Sequence, residues 1–248
     1  NRALQRLVYH GATEEILYEA HPHIGSDRLP RIIADMRRQI VECGGEFYFN
    51  SRVTGITIKD GRAVGIEVGD KRIDGAAVIV ATGHSAHDIY TMLHQSGIRL
   101  EAKNYAMGVR IEHPQALSNS IQYHNDTQME YLPAASYSLV QQVGGRGVYS
   151  FCMCPGGHIV PAGSAKNSCV VNGMSASHRN SPFANSGMVV EIRPEDLVSI
   201  VQELRSSGVQ EFQLKGLAFQ QYLEQLAYQH GGEPSLAPAQ RLKDFVEG

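Results

Sequence analysis

The segment VIVATGHSAHD, residues 78–88, ends an apolar run at small residues and places a histidine where a helix is expected to begin. Thr82 and Gly83 carry little side chain, so a ligand can approach the backbone closely there. The positive end of a helix disfavours extra charge on an imidazole, which favours a neutral His84. His84 is therefore a candidate proton donor or acceptor. The alternative is an ordinary strand-to-helix turn that binds nothing.

The segment FCMCPGGHIVPA, residues 151–162, is the second candidate for chemistry. Cys152 and Cys154 are two apart on an expected strand, so we expect them to share a face. A redox thiol pair and a zinc site with His158 and Cys169 are alternatives, although small buried residues in a hairpin are the commoner finding. We expect the turn to line a substrate cavity, with pocket residues Cys154, Gly156 and Gly157.

Two further segments carry charged or titratable groups. In GVRIEH, residues 108–113, Arg110 is a candidate catalytic residue that could meet a substrate carboxylate with Glu112 and His113. An internal ion pair is the commoner role for such residues in a sheet. In AHPHIGSD, residues 20–27, a metal site at His21 and His23 is disfavoured by the helix N-terminus behind them. We expect His23 to approach a ligand at the domain junction.

The elements that position these residues follow from apolar spacing and turn residues. Residues 26–43 have helical periodicity and end at Gly44, and a short strand is expected at 46–50. Asp60-Gly61 and Gly69-Asp70 predict hairpin turns in a three-stranded meander over 53–74. The apolar run 76–81 predicts a buried return strand, followed by a helix capped by Ser85 and Asp88.

Beyond residue 99 the sequence alternates short strands with polar loops until helical periodicity returns in 194–204 and 217–228. We therefore expect two domains, residues 1–98 and 99–248, the second a mixed sheet with late helices. The predicted fold class is α+β.

The amino-acid composition disfavours some classes of binding partner. The 22 basic and 25 acidic residues give a formal net charge of -3, which makes nucleic acid and anionic membranes poor partners. A small-molecule substrate and a cytoplasmic location are the expectations, and four cysteines suit a reducing compartment. The sequence does not predict an oligomeric state.

Several blocks resemble those of bacterial FAD-dependent dehydrogenases in the glutathione-reductase-like superfamily. The order helix, GGE, meander and ATG is similar to the latter part of an FAD domain. Blocks in the order of that family are EEILYEAHPHIGSDRL (14–29), ATGHSAHDIYTML (81–93), GVRIEHPQ (108–115), GRGVYSFCMCPGG (145–157), VVNGMS (170–175) and APAQR (237–241).

The resemblance implies FAD as the cofactor and NAD(P)H as a reductant. It implies that Val53 presents its backbone to the adenine and that Ala81, Thr82 and Gly83 lie beside the dinucleotide. The GxGxxG loop that holds the diphosphate in such proteins is absent from the sequence, and so is the C-terminal segment that closes over the flavin. We therefore expect an incomplete, inactive piece of a flavin-dependent oxidoreductase that carries little flavin. The alternative is a binding or interaction module without chemistry.

Overall fold

A computed structural model describes residues 1–124, 131–163, 165–198, 214–231 and 236–248. It has two compact units. The first comprises Asn1–Gly45, Asn104–Arg193 and Leu223–Gly248, and the second comprises Glu46–Lys103 and Pro194–Tyr222. Both combine helices with antiparallel strands, so the predicted α+β class is confirmed.

The first unit is built on a four-stranded antiparallel sheet in the order β4-β9-β6-β5. Its strands are β4 (Tyr105–Pro114), β5 (Val140–Val143), β6 (Arg146–Cys154) and β9 (Phe183–Ile192). A separate hairpin pairs β7 (Gly157–Pro161) with β8 (Val171–Ser175). Strand-like segments of the sequence at 107–113, 147–154, 158–162, 168–174 and 188–192 correspond to β4, β6, β7, β8 and β9, although β9 begins five residues before its segment and β5 was not predicted.

A small apolar core accompanies the helices of the first unit. They are α1 (Arg2–Tyr9), α2 (Leu29–Glu42), α4 (Gln115–Tyr123) and α6 (Leu242–Glu247), and a 3-10 turn covers Glu14–Leu17. Ala12, Ile16 and Ile32 are buried together, because Ile32 lies on the apolar stripe of α2 that the spacing predicted. Helix α5 (Lys215–Gly231) contributes residues to both units.

The second unit contains the predicted meander. Strands β1 (Gly55–Lys59), β2 (Arg62–Val68) and β3 (Lys71–Asp74) pair in that order, and α3 (His87–Gln95) follows. Asp60 and Gly61 both have positive φ, as a tight two-residue hairpin requires. The hairpin predictions are therefore confirmed.

Three local predictions in this unit are wrong. Residues 76–81 are not a buried strand: they pair with no other strand of the described chain, and Ile79 is 91% exposed. A strand needs a neighbour to satisfy its backbone groups, and the meander ends at β3 without offering one. Residues 46–50 are likewise not a strand. Helix α3 starts without a side-chain cap, because Asp88 accepts hydrogen bonds from Arg52 instead.

The division into domains at residue 98/99 stays a prediction. The helix expected over 194–204 runs into residues 199–213, which lie outside the described residues, whereas the one expected over 217–228 lies within α5. No helix in the described ranges is long and apolar enough to cross a membrane.

Candidate functional site

The turn between β6 and β7, Cys154–Gly157, is buried and held by hydrogen bonds from three directions. Gln115 Oε1 on α4 accepts from the Gly156 amide at 2.7 Å. Ser175 Oγ on β8 donates to the Pro155 carbonyl at 2.8 Å. The Ser181 amide donates to the Gly156 carbonyl at 3.3 Å. Because these partners come from separate parts of the chain, the turn is rigidly positioned.

Both glycines of this turn are required by protein packing. Gly156 has positive φ, and a Cβ there would overlap the Arg179 carbonyl. A Cβ on Gly157 would lie 2.5 Å from the Met174 carbonyl oxygen and 2.6 Å from Ser175 Oγ. The close approach that the sequence suggested for a planar ligand is made here by backbone of the same unit. The assignment of Gly156 and Gly157 to a substrate pocket stays a prediction.

The two cysteines before the turn do not follow strand alternation. The β6–β9 register shifts between Phe151 and Cys154, and Cys152 has positive φ. This bulge leaves Cys152 exposed and Cys154 buried, so the expectation that the two side chains share one face of a regular strand is wrong. Both are unbridged thiols. Burial raises the pKa of the Cys154 thiol, and the Arg110 guanidinium partly opposes that rise.

The thiols should therefore differ in reactivity. At neutral pH we expect iodoacetamide to alkylate the exposed Cys43 and Cys152 first and Cys154 last, since a buried thiol with a raised pKa forms little thiolate. Peptide mapping by mass spectrometry measures the order, and the denatured protein, in which all four thiols are accessible, is the control. Equal rates for Cys154 and Cys43 in the native protein would contradict the burial.

Arg110 extends from β4 toward the same turn. Its Nη1 donates to Asn185 Oδ1 on β9, and both Nη atoms donate to the Cys152 carbonyl at 3.4 Å. The guanidinium lies against Gly173 of β8, where a Cβ would overlap it. Neither Glu112 nor any other carboxylate of the described residues pairs with it. The internal ion pair considered for Arg110 is therefore not formed within the described chain.

His23 lies beside the segment that follows β8. Its Nε2–H donates to the Ala176 carbonyl at 3.0 Å, which fixes the ring proton on that nitrogen. The neighbouring Ser26 Oγ donates to the Ser175 carbonyl at 3.2 Å. Asp27 accepts from Ser177 twice, from the amide at 2.7 Å and from Oγ at 2.8 Å. The segment before α2 is thereby joined to the end of β8, and both hydrogen bonds from Ser177 lower the pKa of Asp27.

This pairing predicts a pH dependence. A carboxyl whose pKa is lowered on folding adds stability above its ordinary pKa of about 3.9, and that stability is lost as the pH falls through the lower folded value. Removing the Ser177 hydroxyl with Ser177→Ala should therefore lower the melting temperature at neutral pH but have little effect in strong acid. Thermal melting across pH measures this difference. Ser120→Ala, at an exposed position of α4, is the control and should show no such dependence; a constant deficit at all pH values would contradict the assignment.

The residues assigned to FAD lie in the second unit. Ala81, Thr82 and Gly83 are exposed, and Gly83 has positive φ with open space where a Cβ would stand. Val53 is half-buried just before β1. The space beside the Gly83 backbone is open among the described residues, which is compatible with one wall of a dinucleotide site. They supply no cation and no glycine loop for a diphosphate. His84 is exposed, with its Nδ1 hydrogen-bonded to Ser85 Oγ at 2.8 Å.

The structure therefore separates the predicted site residues into two sets. His23, Arg110, Cys154, Gly156 and Gly157 lie together in the first unit, and Val53 and residues 81–84 lie in the second. In the parts of the chain that the structure describes, no three His, Cys, Asp or Glu side chains are grouped as a metal site. The zinc alternative thus gains no support there.

Two residues that contact members of the first set were missed from the sequence. Asn185 is fully buried beside Arg110, and Gln115 is 6% exposed beneath Gly156. Neither residue belongs to a charged segment or has a spacing that would mark it in the sequence. Only their burial, which depends on strands and turns far along the chain, marks them.

Comparison with known proteins defines the class of molecule that this architecture represents, a flavoprotein-associated domain. A family model described as "FAD-dependent protein, C-terminal domain-like" matches residues 104–248, and the chain belongs to that family. A protein of Clostridium beijerinckii described as "Uncharacterized protein" is 42% identical over 246 residues. The match covers 98% of this chain but 44% of that protein, so the chain spans less than half the length of this relative.

Proposed function

We propose that the chain is part of a flavin-dependent oxidoreductase that acts on a small-molecule substrate. The observation that carries this proposal is the family match over residues 104–248, which concerns FAD-dependent proteins. When bound, the flavin supplies hydride and electron transfer, and the protein supplies orientation and electrostatics. NADH or NADPH is the proposed reductant. The cytoplasm remains the proposed location.

The roles of the chain's own residues follow from their surroundings. Val53, Ala81, Thr82 and Gly83 would bind the dinucleotide through exposed backbone. His84 is solvent-accessible and holds a hydrogen bond on Nδ1, so its Nε2 remains the atom with which to take or give a proton. Arg110 would orient the substrate. The buried turn Cys154–Gly157 and His23 would shape the pocket around it.

Flavin content tests the proposal directly. The natural full-length protein that contains this chain should purify with bound FAD and lose its visible absorbance when NADH or NADPH is added without air. The 248-residue chain, which has no GxGxxG sequence, should be colourless. A full-length protein without flavin, or one whose flavin neither nucleotide bleaches, would contradict the proposed oxidoreductase.

The second candidate is a binding or interaction module without chemistry. The exposed apolar segment 76–81 favours it, since Ile79 and Val80 are 91% and 48% exposed. The same preparation separates the two candidates, because a module leaves the full-length protein colourless and inert to reductants.

A further inference from the structure

Arg110 differs from three other arginines in the partners of its guanidinium. Arg52, Arg193 and Arg241 each direct Nε and Nη2 at a carboxylate of the chain, on Asp88, Glu191 and Asp244 respectively. The Nε–Nη2 edge carries two parallel N–H groups and matches a carboxylate. Arg110 has no carboxylate partner among the described residues, and it contacts the Asn185 amide oxygen, the Cys152 carbonyl oxygen and the Cys154 thiol instead.

The hydrogen bonds of Arg110 leave this same edge open. One Nη1–H goes to Asn185 Oδ1, and the hydrogens between the two Nη atoms go to the Cys152 carbonyl. The remaining donors are the Nε–H and the outer Nη2–H. The guanidinium also lies within hydrogen-bonding range of the Cys154 thiol, but no carboxylate of the described residues accepts from these donors, and neither nitrogen is both buried and unpaired. The Nε–H and Nη2–H groups of Arg110, called the fork below, are therefore already positioned for a carboxylate.

Asn185 holds the guanidinium at the expense of one unpaired polar group of its own. The side chain is fully buried, and Oδ1 must face Arg110 because a guanidinium only donates. In that orientation Nδ2 is buried without an acceptor. An unpaired buried donor is destabilising, and such groups concentrate where a structure serves a function. Among the described residues the partly buried cation also has no carboxylate partner, and an anionic ligand would supply that counter-charge.

The surroundings favour a monoanion with an apolar body. Arg110, Gly187 and Phe151 are directly opposite one another on β4, β9 and β6, so they share one face of the sheet. Phe151 is 59% exposed on that face. A single guanidinium fork matches the charge and the two oxygens of one carboxylate, whereas a dianionic phosphate usually requires further donors.

We infer that Arg110 binds the carboxylate of an apolar or aromatic carboxylic acid substrate through its Nε and Nη2 groups. As an assignment of substrate class, this inference rests on the proposed function. Asn185 and the Cys152 carbonyl are positioning groups that fix the guanidinium, and Gly173 provides the space in which it lies.

Benzoate, with benzamide as its neutral analogue, is the probe. Calorimetric titration of the full-length protein should show binding of benzoate and none of benzamide. Arg110→Lys keeps the charge but loses the fork, and we expect it to weaken benzoate binding by at least about tenfold. The matched control is Arg193→Lys on the edge of the same unit, where Glu191 already occupies the fork, and this variant should bind benzoate as the parent does.

Each outcome decides the inference. Absence of benzoate binding, unchanged binding in Arg110→Lys, or binding of phosphate in preference to benzoate overturns it. If circular dichroism shows that Arg110→Lys is unfolded, the Arg110 Nε–H signal of the unmodified, nitrogen-15-labelled protein decides instead: it should shift with benzoate and not with benzamide. Flavin content is measured on the same samples. Flavin without benzoate binding refutes only the substrate class, whereas benzoate binding without flavin refutes only the proposed oxidoreductase.

Discussion

Replacing Gly156 by alanine is expected to lower the free energy of unfolding by about 3 kcal/mol or more, because two independent penalties add. The residue has φ of +50°, which is unfavourable for any side chain. The new Cβ would also overlap the Arg179 carbonyl, and backbone in a buried turn cannot move aside easily. Chemical unfolding followed by circular dichroism measures the loss. The Cys154–Gly157 turn should rearrange in the variant.

Gly144→Ala is the matched control for this prediction. Gly144 has φ of +55° in the loop between β5 and β6, yet nothing lies within 4 Å of the position of its Cβ. It therefore carries only the conformational penalty, about 1 kcal/mol. If the two variants lose the same stability, packing against Arg179 is not the reason for glycine at residue 156.

Replacing Gln115 by leucine is expected to cost about 3 kcal/mol, since it removes hydrogen bonds without changing volume greatly. Gln115 is buried, and both its side-chain oxygen and its side-chain nitrogen form hydrogen bonds. Its Oε1 accepts from the Gly156 amide at 2.7 Å, and its Nε2 donates to the Ala135 carbonyl at 2.9 Å and to Asn119 Oδ1 at 2.8 Å. Leucine leaves the Gly156 amide and the Ala135 carbonyl without these partners, whereas Asn119 Oδ1 keeps its hydrogen bond from the Ala135 amide. The loss is measured as a lower midpoint of chemical unfolding.

Gln122→Leu tests whether the effect belongs to the site or to the helix. Gln122 is exposed on the same helix, α4, so the substitution should change stability by no more than about 0.5 kcal/mol. A similar loss in both variants would show that helix propensity, and not the hydrogen bonds beneath the turn, explains the result.

Local signals predicted the elements well. The meander followed from Asp60-Gly61 and Gly69-Asp70, because the residues that tolerate positive φ stand between alternating strands. Helix α2 followed from the spacing of Ile32 and its neighbours. These features depend on residues within one or two turns of each other, so a sequence contains nearly all the information that they need.

The predictions that were wrong concern features that depend on residues distant in the sequence. Residues 76–81 have strand composition, but strand formation requires a partner, and composition does not supply one. The bulge at Cys152 depends on how β6 passes from β9 into the turn, which alternation does not reveal. In both cases the outcome depended on a neighbour.

In the candidate site, too, single residues could be predicted from the sequence but their distant partners could not. Arg110 was a candidate from the sequence because a guanidinium on a predicted strand can meet a substrate carboxylate. Its partner Asn185 is 75 residues away, and the pair formed by Gln115 and Gly156 is separated by 41 residues. Such pairs depend on the register between β4, β6 and β9, which sequence periodicity alone does not fix.

The joining of Ser26 and Asp27 to residues 175–177 has a consequence for biosynthesis. These contacts span 149 and 150 residues of chain. At a translation rate of roughly 5 to 20 residues per second, the early segment leaves the ribosome roughly 8 to 30 seconds before its partners exist. Docking of the segment before α2 onto the end of β8 therefore waits until residues 175–177 have been synthesised, and nascent chains arrested before residue 175 should expose that segment to proteases and chaperones.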